Sequence, residues 1–117
     1  MPSPRRREQL NVLFREQIAA IVDREVEFVE GAMVTFTRVE LSPDGRYATA
    51  YISVLGGSAA DALAMLEKNV YPVQQAVNRA VRMRPVPKIR FARDDGETRR
   101  EKVEESLGAL KQADGSL

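Results

Sequence analysis

The chain has 117 residues, a net charge of +1 and 44% hydrophobic residues, which suits one domain with a single core and excludes a wholly disordered chain. Cysteine and histidine are absent, so disulfides, thiolate or imidazole metal sites and histidine-dependent catalytic triads are excluded. The sequence predicts neither a membrane-spanning helix nor a signal peptide, because no apolar run of the required length is present. These exclusions favour an intracellular, non-catalytic domain.

The first predicted element is an amphipathic helix that begins at Ser3-Pro4. Serine is favoured at the N-cap, and proline is tolerated at the first helical position because an N–H there has no partner within the helix. Apolar residues then recur every three or four positions, which is the spacing of one helical face. We predict a helix of about five turns. Its buried stripe comprises Leu10, Leu13, Phe14, Ile18, Ile21 and Val22.

Two strands joined by a tight turn are predicted next. Residues 33–42 are rich in threonine and valine, and a change in their alternation near Thr37-Arg38 predicts a β-bulge. Ser42-Pro43-Asp44-Gly45 has the composition of a tight turn. In residues 47–54 the even-numbered positions are apolar, so we expect them to face the core while the odd-numbered positions face outward.

Two helices and a third strand follow the hairpin. Ser58 and Asp61 have the spacing of a helix-opening capping box. The apolar stripe of this helix reaches about Asn69, and Pro72 predicts that the helix stops or kinks at the proline, which removes the hydrogen bond to residue 68. The helical period resumes as far as about residue 82, and residues 88–91 then alternate as a short strand.

The last segment is predicted to add an accessory helix and a tail. Val103, Leu107 and Leu110 form one stripe of a helix over 97–111, whereas residues 112–117 are predicted to be disordered. The element order predicts an α+β fold in one domain over residues 1–111. It consists of a three-stranded sheet with its helices on one face.

Charge is distributed unevenly along the chain. Residues 79–93 contain six cations and no acid, whereas residues 23–30 contain four acids and one cation. Arginine has a planar fork of donors that suits phosphate, so the first segment predicts a phosphate-binding surface. A solvated face is an equally frequent reason for such a run of charge. The six cations are Arg79, Arg82, Arg84, Lys88, Arg90 and Arg93.

Three stretches of the sequence carry a family likeness. They are Val34-Thr35-Phe36-Thr37-Arg38-Val39-Glu40-Leu41-Ser42-Pro43-Asp44 with Ala48-Thr49-Ala50-Tyr51-Ile52-Ser53-Val54, then Arg82-Met83-Arg84-Pro85-Val86-Pro87-Lys88-Ile89-Arg90-Phe91 with Asp94, and Arg15-Glu16-Gln17-Ile18-Ala19-Ala20-Ile21. In these residues the chain resembles ribosome-binding factor A, a family of bacterial small-subunit assembly proteins. The resemblance implies a type II KH-like domain with the order α-β-β-α-(kink)-α-β plus a C-terminal helix.

The resemblance also implies a function. It implies a cytoplasmic, monomeric RNA-binding factor that binds the immature small (30S) ribosomal subunit and assists maturation of the 5′ end of 16S rRNA, often importantly in the cold. It implies no enzymatic activity, no cofactor, no metal and no membrane, and it leaves other assembly factors open as partners. Arg79 and Arg82, three positions apart, are expected to share one helical face. Together with the charge pattern, the resemblance makes these side chains candidate RNA contacts: Arg5, Arg6, Arg7, Arg38, Arg79, Arg82, Arg84 and Arg90.

The predicted kink between the two central helices departs from the family pattern. KH domains bind RNA backbone with a GxxG loop at this point, and the resembled family has an Ala-x-Gly kink there. This chain has Asn69-Val70-Tyr71 followed by Pro72, and it has Gln74 where the family often has arginine. Tyr71 could stack on a base or cap the core, and burial is the more frequent fate of an aromatic ring.

Two other function classes remain open from the residues. The chain could be a protein-interaction module that uses the outward face of Tyr47, Thr49 and Tyr51 or the acidic segment 23–30. A magnesium-dependent hydrolase would have to use carboxylates such as Asp94-Asp95. Adjacent side chains diverge, so a structural role for this pair is favoured over metal binding.

Overall fold

The computed structural model of the protein describes residues 3–95. Its elements are, in chain order, α1 (Pro4–Glu25), β1 (Met33–Leu41), β2 (Tyr47–Leu55), α2 (Ala59–Lys68), α3 (Val70–Ala80) and β3 (Lys88–Arg93). The strand order is β1-β2-β3, with β1 antiparallel to β2 and β2 parallel to β3. The predicted α-β-β-α-α-β order is confirmed. The predicted helix 97–111 and tail 112–117 lie outside the described residues.

One hydrophobic core lies between the sheet and the helices. Phe14 and Ile18 of α1 and Ile52 of β2 are fully buried, as are Leu66 of α2 and Val73 of α3. Within residues 3–95 no polar or charged side chain is buried with them. Since every helix contributes buried residues to the same cluster, the helices cover one face of the sheet and leave the other face uncovered in this part of the chain.

The predicted stripe of α1 is confirmed except at Leu13. The Ser3 hydroxyl accepts a hydrogen bond from Arg6 N at 3.1 Å, as expected of an N-cap. Leu13, however, is 41% exposed, so its predicted burial is wrong. It lies about 100° around the helix from Phe14, which takes the core position. Leu13 instead borders a surface cleft together with Met83.

The hairpin has the predicted bulge. The register shifts between Phe36, which pairs with Ile52, and Arg38, which pairs with Tyr51. The extra residue returns Phe36 and Val39 to the core although their parities differ. It also leaves Arg38 on the outer face of the sheet.

The turn of the hairpin is closed by its own side chains. Ser42 Oγ accepts a hydrogen bond from Tyr47 N at 3.0 Å and donates one to Asp44 Oδ1 at 2.7 Å. The hydroxyl bond from Ser42, assisted by Arg46 N, lowers the pKa of Asp44 below its ordinary value. Gly45 adopts the left-handed conformation that the turn requires, with φ +75°.

Two glycines bring separate loops into close contact beyond the end of β2. Gly31 precedes β1 with φ +92°, and Gly56 follows β2 with φ +74°. A β-carbon added at Gly56 would lie far inside van der Waals contact with the carbonyl oxygen of Gly31. Only glycine therefore allows the two backbones to approach this closely.

The break between α2 and α3 lies at Asn69, three residues before Pro72. Asn69 Nδ2 donates to Met65 O at 2.8 Å, which satisfies a carbonyl at the end of α2. Pro72 lies in the first turn of α3, where a missing N–H leaves no helical hydrogen bond unmade. The proline thus permits the start of α3, and the change of direction itself is made at Asn69, where φ is −107° and ψ is 15°.

Gln74 joins α3 to the beginning of β3. Its Nε2 donates to Pro87 O and to Asn78 Oδ1, both at 3.1 Å, and its Oε1 accepts from Ile89 N at 2.9 Å. An arginine has donors only, so it could not accept the bond from Ile89 N. Gln74 therefore holds the incoming strand against the helix.

We predict that Gln74→Leu lowers the free energy of unfolding by about 2 kcal/mol, because Ile89 N and Pro87 O lose their partner. Urea unfolding followed by circular dichroism measures the change. Gln75→Leu is the control, since Gln75 is also half-buried and makes none of these bonds. Equal losses in the two variants would contradict a specific role for Gln74.

Candidate nucleic-acid interface

The segment between α3 and β3 carries two of the six cations in the predicted run, Arg82 and Arg84. Helix α3 ends at Ala80, and Val81 is extended with φ −107° and ψ 152°. Arg82 therefore lies beyond the helix, and the expectation that it shares a helical face with Arg79 is wrong. Pro85 disfavours helical backbone at Arg84, so the helix could not have continued far beyond Val81.

Arg6 and Arg82 meet at one cleft. The cleft has a volume of about 310 Å³, and its other lining residues include Leu10, Leu13 and Met83. The start of α1 is thereby brought beside the end of α3, a proximity that the sequence does not reveal. Arg5 and Arg7 belong to the same first turns of α1, where Arg5 is exposed and Arg7 is half-buried.

Arg84 and Lys88 border a second cleft, which Val86 of the same segment also lines. Arg84 Nη1 donates to Val81 O at 3.1 Å and to Met83 O at 2.7 Å, so the backbone fixes its guanidinium. Lys88 lies at the start of β3 and lines this cleft with Gln74. Lys88 was not among the residues predicted to contact RNA, although it belongs to the same run of cations.

We group five exposed cations as the basic rim: Arg6 and Arg82 of the first cleft, Arg84 and Lys88 of the second, and Arg79 in the last turn of α3. Within residues 3–95, none of them has a carboxylate oxygen within 4 Å; the ion pairs found there involve other cations. Arg79, Arg82 and Arg84 are all exposed. Among the described residues, the rim is therefore a set of exposed cations without a carboxylate partner, on the first turn of α1, the last turn of α3, the segment that follows it and the start of β3.

Arg90 lies on the outer face of the sheet, two positions along β3 from Lys88 of the basic rim. Its guanidinium carbon is 3.6 Å from the centroid of the Tyr47 ring. Ile89 on the same strand is buried and Arg90 is exposed, so Arg90 faces outward. The arginine run is thus divided between the rim and the sheet.

Arg38 is engaged in an intramolecular cluster. Its Nε is 2.8 Å from Glu40 Oε2, its Nη1 is 3.1 Å from Asp94 Oδ2, and its guanidinium lies 3.6 Å from the Tyr51 ring centroid. The Thr37 hydroxyl donates to the same Asp94 oxygen. The cluster joins the bulge of β1 to the residue after β3, and it compensates the charge of Arg38. We therefore leave Arg38 out of the proposed interface.

Tyr71 is 71% exposed, so the expectation that its ring caps the core is wrong. Val73 occupies the core position in the first turns of α3 and is fully buried. Asn69 and Val70 are half-buried and Pro72 is exposed. Of the four predicted kink residues, Tyr71 is the one whose side chain is free to stack on an incoming group.

The described residues lack the other kinds of site that were considered. Within residues 3–95 no group of three or more histidine, cysteine or acidic side chains could hold a metal ion. Asp94 contacts Arg38 and Thr37, which fits the structural role expected of the Asp94-Asp95 pair. None of the helices in this range is long and apolar enough to cross a membrane.

Comparison with known proteins identifies the family. The profile of the family described as ribosome-binding factor A matches residues 6–107. The chain belongs to this family. Its members are ribosome-binding factors and not a known class of enzyme. The ribosome-binding factor A of Protochlamydia amoebophila is 35% identical over 109 residues, covering 90% of this chain and 82% of the relative.

Solved structures of the family share the fold. A Thermotoga maritima protein described as a ribosome-binding factor A is 27% identical with a TM-score of 0.67, over 82% of this chain and 93% of that one. A homology model of the Thermus thermophilus ribosome-binding factor A, fitted into a cryo-EM map of a 30S complex, is 28% identical with a TM-score of 0.50, over 73% of this chain and 87% of that one. The α+β architecture expected of a KH-like domain is thereby confirmed.

Proposed function

We propose that this protein is an assembly factor that binds the immature small ribosomal subunit and assists maturation of the 5′ end of 16S rRNA. The observation that carries the proposal is the basic rim, in which Arg6 and Arg82 converge on one cleft and lack carboxylate partners within residues 3–95. Family membership supports the proposal that these charges bind the ribosome, since a Thermus thermophilus member is known in complex with the 30S subunit.

The rim suits RNA backbone on physical grounds. Guanidinium groups bind phosphate oxygens through paired N–H donors. Arg84 is already held by the carbonyl oxygens of Val81 and Met83, so less conformational entropy is lost when it meets a phosphate. Phosphate contacts of this kind fix position and orientation rather than sequence.

In this proposal the protein acts only by binding to the precursor subunit. Binding stabilises those conformations of the precursor RNA that fit the rim, and it shifts their population without a covalent step. Neither a cofactor nor a metal is required for such an effect. The protein works in the cytoplasm as a monomer, and its partners are the small subunit and its 16S rRNA.

Salt dependence is the direct test of binding. The affinity for precursor small subunits is expected to fall linearly on a log–log plot against salt concentration, because each phosphate contact releases condensed counterions. We expect a slope of about −3 to −5 for the five cations of the rim. Analytical ultracentrifugation of mixtures at several salt concentrations measures it. A flat response would overturn the proposal that the rim binds RNA backbone.

Processing of the 5′ end requires a separate test in cells. Primer extension on 16S rRNA is expected to show an accumulated longer precursor when the gene is deleted, with a larger excess at low temperature. Expression of the wild-type chain is expected to restore the mature end. An unchanged ratio of precursor to mature ends would remove processing from the proposal and leave binding.

A protein-interaction module is the second candidate. Phe28, Val29 and Ala32 form, with α2, a largely apolar cleft of about 300 Å³ beside the acidic segment 23–30. Val29, which lines this cleft, is 59% exposed. Association with small subunits that survives complete nuclease digestion of the RNA would favour this candidate over RNA binding.

A further inference from the structure

The outer face of the sheet carries a stacked pair outside the basic rim. Tyr47 lies on β2 and Arg90 on the neighbouring β3, and the guanidinium carbon is 3.6 Å from the ring centroid. We propose that this pair, with Thr49 and Lys88, forms a platform on which nucleotides of single-stranded RNA stack. We call these four residues the sheet platform. The proposal rests on the proposed function in that it adds a second RNA contact to the same protein.

The sheet register places the platform residues side by side. Tyr47 pairs with Lys88 and Thr49 pairs with Arg90 across the parallel strands. Side chains two positions apart on one strand point to the same face about 7 Å apart, so Lys88 and Arg90 lie in a row beside Tyr47 and Thr49. The helices cover the other face, and nothing in residues 3–95 packs over this one.

Arg90 differs from the second stacked arginine of the same face. Arg38 lies over Tyr51 at the same distance, but Glu40 and Asp94 compensate its charge, and its side chain is only 21% exposed. Arg90 is exposed and has no carboxylate within 4 Å among residues 3–95. The β3 side of the face is therefore positive, and the β1 side is compensated.

A stacked guanidinium favours a ligand that combines a planar group with negative charge, such as a nucleotide. The Tyr47 ring occupies one face of the Arg90 guanidinium, and the other face is available to a base. Bases of single-stranded RNA stack on aromatic rings and on arginine planes, while neighbouring cations follow the backbone. Lys88 can meet a phosphate and the Thr49 hydroxyl can bond to a sugar or base. An acidic peptide would compensate the charges of Lys88 and Arg90 but has no planar group to stack on the Arg90 guanidinium.

The test uses a fluorescein-labelled twelve-nucleotide oligouridine and the full chain, with binding followed by fluorescence anisotropy. Arg90→Lys keeps the positive charge and removes the planar guanidinium, and Tyr47→Leu removes the aromatic ring. Each is expected to weaken binding by about fivefold or more, the effect of losing one base stack. Arg93→Lys is the matched control on the same strand, at a position of opposite parity, and less than about twofold change is expected. Circular dichroism melting checks that each variant is folded.

Two results would overturn the platform. One is unchanged oligouridine affinity in Arg90→Lys, and the other is equal competition by a polyglutamate peptide of matched charge. Binding of the same variants to precursor small subunits separates this proposal from the previous one. Subunit binding without any oligouridine binding would overturn the platform alone. Arg90-dependent oligouridine binding without subunit binding would support the platform and overturn the proposed function.

Discussion

Replacing Arg79, Arg82 and Arg84 together by alanine is expected to weaken binding to precursor small subunits by about tenfold to a hundredfold at 0.15 M salt. Each lost phosphate contact removes about 0.7 to 0.9 from the log–log salt slope, which corresponds to about fivefold in affinity at this salt concentration. All three side chains are exposed and none belongs to the core, so the fold is expected to remain intact. Analytical ultracentrifugation with purified precursor subunits measures the affinity.

The control for this triple variant removes the same charge elsewhere. Arg15→Ala, Arg24→Ala and Lys68→Ala together also remove three cations, and none of them belongs to the basic rim or the sheet platform. We expect this variant to lose less than about threefold in affinity, because long-range attraction is screened at physiological salt. The rim variant is also expected to have a salt slope smaller by about 2 to 3. Equal losses in the two triple variants would contradict a localised interface.

Gly56→Ala is expected to lower the free energy of unfolding by about 3 kcal/mol. A left-handed backbone costs a residue with a β-carbon about 1 to 2 kcal/mol, and Gly56 has φ +74°. The new methyl group would also collide with the carbonyl oxygen of Gly31, so one of the two backbones must move, at a further cost of about 1 to 3 kcal/mol. Urea unfolding of the variant and the wild type measures the difference.

Gly45→Ala separates the two contributions. Gly45 has nearly the same conformation, with φ +75°, but a β-carbon there would meet nothing within 4 Å. Only the conformational cost remains, so a loss of about 1 kcal/mol is expected. The difference between the two variants then measures the contact between the loops at Gly31 and Gly56. Equal destabilisation would show that this contact contributes nothing to stability.

Local periodicity predicted the elements of this fold because the spacing of apolar residues reports directly which side of a segment is buried. The bulge is an example. Phe36 and Val39 have opposite parities, and one inserted residue is the way for both to reach the core. The end of α2 near Asn69 was predicted correctly from its apolar stripe, whereas the break was wrongly assigned to Pro72, because a proline is tolerated in the first turn of a helix.

The candidate site was harder to predict than the fold, because its side chains contact partners that are distant in sequence. Arg38 was predicted to contact RNA, but it pairs with Asp94, and no local pattern connects a bulge to a residue more than fifty positions later. Arg6 and Arg82 border one cleft only because α1 packs beside α3. Tyr71 was expected to be buried from the average behaviour of aromatic residues, whereas its place in the first turn of α3 leaves it exposed.

The position of β3 in the sheet has a consequence for how copies of the protein behave at high concentration. It is the last strand in the order β1-β2-β3, so among the described residues the far side of its backbone pairs with nothing. The unpaired N–H and C=O groups of an edge strand can form hydrogen bonds to another chain, and charged side chains on the strand oppose this association. Lys88 and Arg90 lie on the outer face of β3, and Arg93 lies at its end with the opposite parity. Replacing all three residues by neutral ones is therefore expected to promote aggregation. Exchanging arginine for lysine keeps the positive charge and hence the repulsion between copies.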